Sequence, residues 1–138
     1  MAPLFRASLL VGFIGVLAST PYFFALSVFH PVAATRTWTS LIALTTVFLA
    51  AAVYFASLYR LLGRSPYRGR LAGVFAALLT YASVALLYVF AVPAVRGQPA
   101  PQTIGFALWA FLITGWLPIA AGFFAGWLAE RNVFAPSN

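Results

Sequence analysis

The chain has 138 residues, of which 64% are hydrophobic and only 7% charged, against roughly half and a quarter in an ordinary soluble domain. With a mean hydropathy of +1.00, such a composition excludes a water-soluble globule and leaves lipid as the main neighbour of its surface. Cysteine is absent, which removes disulfides, thiol chemistry and thiolate metal sites. The net charge of +7 comes from eight basic residues, all of them Arg, against Glu130 as the one acid. These arginines sit at the ends of apolar runs and do not form the dense basic face of a nucleic-acid binder, so no nucleic-acid partner is expected.

In chain order, uncharged apolar stretches run from Ala7 to Phe29, Trp38 to Tyr59, Leu71 to Val95 and Ile104 to Ala129. Each has the roughly 20 residues needed to cross about 30 Å of hydrocarbon. The sequence therefore predicts an all-α integral membrane protein forming one membrane domain over residues 1–138, with helices at about 7–29, 38–62, 71–95 and 104–129. The first run, with Pro21 in its course, is too long for the core of a secretory signal and is expected to stay as a helix. The links at His30 to Thr37, Gly63 to Arg70 and Arg96 to Thr103 are short and contain Pro or Gly, which predicts an up-down-up-down bundle.

Orientation follows from the arginines. Arg60, Arg64, Arg68 and Arg70 crowd the middle link, Arg6 and Arg131 lie near the termini, and Arg36 and Arg96 hold the other two links. An excess of six over two predicts that both termini and the middle link are cytoplasmic in a plasma membrane, most simply a bacterial inner membrane. The middle link carries four guanidinium groups with no acid beside them in sequence, which makes Arg60, Arg64, Arg68 and Arg70 candidates for contact with anionic lipid or an acidic partner loop.

Small residues recur at helical spacing. Gly115, Gly122, Gly126 and Ala129 share a face of the fourth helix, where Gly122 to Gly126 is a GxxxG. Gly69, Gly73, Ala76, Thr80 and Ser83 make a stripe on the third, and Gly12, Gly15 and Ser19 one on the first. Such faces let backbones approach closely, within the chain, in a homo-oligomer or against a larger membrane complex, so Gly12, Gly15, Gly73, Gly115, Gly122 and Gly126 are expected at helix contacts. Trp38, Trp109, Trp127, Tyr59 and Tyr88 lie near helix ends and are expected in interfacial belts. Trp116 falls too deep for that, two residues before Pro118, which removes an amide donor and frees the carbonyl of Thr114.

No Asp, Glu, Lys, Arg or His falls inside any of the four runs, although proton relays and ion paths in membranes need them. The layout resembles that of the small multidrug transporters in length and helix number, but their pattern places a carboxylate in the first helix and this one has none, so the resemblance stops at architecture. Haem ligands, metal clusters and acid/base pairs do not assemble from these residues either, and His30 beside Pro31 reads as a solvated loop residue. No cofactor, metal or catalysis is expected. The neutral polar residues remain, and Tyr22, Thr45, Tyr81, Thr114 and Trp116 are candidates to line a cavity for a neutral or lipophilic ligand. Two roles stay open. One is a non-catalytic accessory subunit docked on a membrane-protein partner, and the other a homo-oligomeric transporter or channel for neutral or lipophilic molecules.

Overall fold

The computed structural model describes residues 2–28, 33–63, 65–96, 112 and 116–134, with side chains described over 3–20, 41–63, 65–87, 112 and 116–134. Among them are four helices and no strand: α1 (Ala2–Val28), α2 (Ala33–Leu61), α3 (Arg68–Arg96) and α4 (Trp116–Asn132). Three carry stretches long and apolar enough to cross a membrane, at Pro3–Thr20, Leu41–Leu61 and Arg68–Leu87. The described part of α4 has 17 residues and ends in Glu130, Arg131 and Asn132. It is too short to count as a span by itself, and most of the rest of the run at 104–129 lies outside the described residues.

The helix limits depart from those read off the apolar runs. α1 begins at Ala2 instead of Ala7, α2 at Ala33 instead of Trp38, and α3 at Arg68 instead of Leu71. The reason is physical: an apolar run stops at its first charge, whereas a helix continues through Arg6, Arg36 or Arg68 because its hydrogen bonds are internal and a guanidinium is welcome at the wet end. Thr35 and Arg36 are thus helical instead of part of a link.

α1 packs on α2 and α4, and α3 on α2 and α4, so the four close into a ring. One buried cluster joins Ala7 and Val11 of α1, Phe55 and Tyr59 of α2, Ala72 and Ala76 of α3, and Ala125 and Ala129 of α4. Most of these are alanines, and the large side chains of Phe55, fully buried, and Tyr59 fill the space between them. The outer surface is the reverse, with Phe13, Leu49, Val53, Phe75, Leu86 and Phe124 exposed around the ring. A soluble bundle hides such residues; here small ones go inside and large apolar ones outside, as expected where lipid is the solvent.

Between α2 and α3 the chain turns tightly. Gly63 has φ +58°, the left-handed conformation in which a helix commonly ends and in which glycine has no Cβ to clash. Its carbonyl accepts a bond from Arg68 Nη1 at 2.7 Å, and Arg68 N–H donates to Ser65 O at 3.2 Å. Arg64 lies outside the described residues.

Candidate functional site: an apolar chamber inside the bundle

Glycines decide how closely the helices pair. A Cβ on Gly73 would strike the carbonyl oxygen of Gly122, one on Gly122 that of Gly73, and one on Gly126 that of Gly69. The obstacles are backbone atoms, which cannot swing away, so α3 and α4 touch main chain to main chain. α1 and α2 come close in the same way at Gly12, whose Cβ would lie 2.9 Å from Phe48 O. Gly15 is different: its Cβ would meet Ala51 Cβ at 3.5 Å and Val47 Cγ1 at 3.7 Å, which is ordinary contact. Gly115 lies outside the described residues.

The result is two tight pairs, α1 with α2 and α3 with α4, facing each other. At the level of the buried cluster Phe55 fills the gap. One or two turns further along each helix it stays open, and a chamber of about 440 Å³ lies there. Val11, Gly15, Ala18 and Ser19 of α1, Val47 and Ala51 of α2, Gly73, Ala77, Thr80, Tyr81 and Val84 of α3, and residues of α4 from Leu117 to Ala125 line it. The Gly and Ala that predominate at this level leave the space open. Its size falls in the ordinary range for small-molecule sites, about 300–1,000 Å³.

The wall is almost entirely apolar, and its hydroxyls behave unequally. Ser19 Oγ donates to Gly15 O at 2.8 Å, the local bond that satisfies a hydroxyl within its own helix. Thr80, only 5% exposed, has no hydrogen-bond partner at Oγ1. An unmet buried hydroxyl costs about 1–3 kcal/mol.

Of the five cavity candidates, Tyr81 lines the chamber. Thr45 does not, because it is exposed and donates to Leu41 O at 2.8 Å. Trp116 is 64% exposed and is not in the chamber wall. Thr114 and the side chain of Tyr22 lie outside the described residues. The neutral polar residues within the apolar runs point to hydroxyl-bearing positions, whereas most of the wall is Ala, Gly and Val. Those residues carry no polar signal, and only their shared level on four helices would have disclosed them.

At the other end of the cluster, Glu130 organises the turn. Its Oε1 accepts from Gly69 N–H at 2.7 Å and from Arg70 N–H at 3.4 Å, while Oε2 takes Arg70 Nε at 3.2 Å. A carboxylate on α4 thereby meets free amides in the first turn of α3, where the helix dipole also favours negative charge. The arginine-rich link, which has no acid beside it in sequence, does have one in space. Arg68 is also engaged: its guanidinium lies 4.1 Å over the Tyr59 ring, which stacks on Phe134 at 4.4 Å from its other side. Tyr59 is therefore a buried member of the core and no belt residue facing lipid. Arg60 stays exposed.

No family model, curated protein or solved structure matches this chain.

Proposed function

We propose that the protein is a four-span integral membrane protein, an up-down-up-down bundle with both termini and the arginine-rich turn on the cytoplasmic side, whose work is to hold a neutral lipophilic molecule within the membrane. The observation that carries this reading is the 440 Å³ chamber, open on one side, that is lined largely by small apolar residues of all four helices. The reading of a non-catalytic role rests on the sequence, which offers one carboxylate and one imidazole, both outside the apolar runs. Glu130 is committed to the start of α3.

The chamber favours the small-molecule role over that of an accessory subunit. The Gly73 and Gly122 to Gly126 faces point at each other inside the chain, so they give no support to a partner docked on those stripes. Lipids remain the expected neighbours of the outer surface, with Arg60 exposed at the headgroup level.

Residue-resolved photolabelling tests the reading. An alkyl diazirine added to the protein in lipid nanodiscs should mark Ala77, Val84 and Ala121, and excess dodecane should suppress those adducts. Adducts confined to the outward Leu79, Leu86 and Phe124, unaffected by dodecane, would show that the chamber takes no ligand.

A further inference from the structure

One end of the bundle gathers the charge. Arg6 of α1, Arg60 of α2, Arg68 and Arg70 of α3 and Arg131 of α4 all fall at the end where Ala7, Tyr59, Ala72 and Ala129 meet. The fold engages some of them. Arg70 pairs with Glu130, the one acid, Arg68 is taken by Gly63 O and the Tyr59 ring, and Arg131 lies 5.5 Å over the Trp127 ring. Arg6 and Arg60 make no ion pair, side-chain hydrogen bond or ring contact among the described residues. Of the two, Arg6 stands in a hollow of about 210 Å³ between the start of α1 and the end of α4, which it lines with Pro3, Asn132 and Val133. The Asn132 side chain has no hydrogen bond among the described residues either, and no acid lines the hollow.

We infer that this hollow seats the phosphate of one anionic phospholipid, with Arg6 and Asn132 as its donors. A guanidinium meets phosphate oxygens with a fork of two N–H groups, and a carboxamide N–H supplies a further bond. The α1 surface next to Arg6 points to a lipid and not to a free phosphate. Phe13 and Leu17, 58% and 57% exposed, fall within about 20° of Arg6 around the helix, and Leu17 lies about 16 Å along it, close to the depth of one leaflet's hydrocarbon. A phosphate held at Arg6 therefore sets an acyl chain against Phe13 and Leu17. A choline headgroup fits less well, because its cation would face the same gathering of arginines. The assignment moves lipid recognition away from Arg68 and Arg70, which charge alone suggests and which the fold commits elsewhere. It stands independently of the chamber, whose α1 lining begins at Val11.

The test titrates the full-length protein in detergent with dioleoylphosphatidylglycerol or with phosphatidylcholine of the same chains, and takes apparent affinities from lipid-dependent thermal stabilisation. Wild type should prefer phosphatidylglycerol. Arg6→Gln should weaken phosphatidylglycerol binding about fivefold, the share of one guanidinium at an anionic surface, and Asn132→Ala about threefold, the share of one hydrogen bond. Arg60→Gln removes the same charge from the same end of the bundle but outside the hollow, and should weaken it by less than about twofold. Without lipid, all three variants should melt with wild type, since each alters an exposed side chain that has no partner. Glycerol phosphate, a headgroup without chains, should neither stabilise the protein nor displace the lipid. Equal losses from Arg6→Gln and Arg60→Gln would reduce the effect to bulk charge and overturn the site, as would equal binding of the two lipids. Stabilisation by glycerol phosphate that Arg6→Gln abolishes would make the hollow a free-phosphate site and overturn the lipid assignment.

Discussion

Glu130 shows how much one side chain can hold when it is the sole acid. It is half-buried between two helices, accepts two amides and pairs with Arg70, and its methylenes fill the space that a Gly69 side chain would need. Glu130→Ala should lower stability by about 1–3 kcal/mol, because the Gly69 and Arg70 amides lose their acceptor in a site poor in water. Glu130→Gln keeps an acceptor oxygen and should lose less. Denaturation in mild detergent would rank the two, and equal losses would mean that the carboxylate's charge, and not its acceptor, holds the joint. Gly63 makes a smaller claim at the same scale. With φ +58° and nothing within 4 Å of its would-be Cβ, Gly63→Ala should cost about 1 kcal/mol through backbone strain alone.

Among elements, the α3–α4 pair is the stiffest joint. Gly73→Ala or Gly126→Ala sets a methyl against a carbonyl oxygen that cannot move aside, so the helices must separate, at about 1–3 kcal/mol each by the usual scale of overpacking. Gly15→Ala meets only side chains at 3.5 Å and beyond and should be tolerated or slightly stabilising, since alanine is the better helix former. Melting temperatures of the three variants side by side would expose the difference, and similar losses in all three would refute the pairing described here. The stripes themselves were legible from the spacing of glycines. Their opposition was not, because Gly69 and Gly126 are far apart in sequence and nothing local says which faces meet. The same holds for Tyr59, whose place near a helix end suggests an interfacial belt, while Arg68 on one side and Phe134 on the other make it part of the core. Helix ends run past the apolar stretches for a related reason, as charge marks the edge of the hydrocarbon and not the end of hydrogen bonding.

For the molecule as a whole, the inverted pattern of small residues inside and large apolar ones outside agrees with the composition, and it bears on orientation. Six arginines against two predict that a Cys introduced at Ser65 stays protected from an impermeant thiol reagent in intact cells, while one at Thr35 or Gln98 reacts. Labelling at Ser65 with protection at the other two would reverse the proposed topology. The chamber is a property of this scale too: all four helices contribute to it, and most of the residues they place there are Ala, Gly and Val.

Filling the chamber should therefore abolish binding without unfolding the bundle, and Ala121→Phe brings a ring into open space from α4. The most direct measurement is native mass spectrometry of the protein released from detergent with 2-dodecanone present. The account predicts that wild type retains one molecule saturably and that Ala121→Phe, still folded, retains none. No retention by wild type, or equal and unsaturable retention by both proteins, would contradict it.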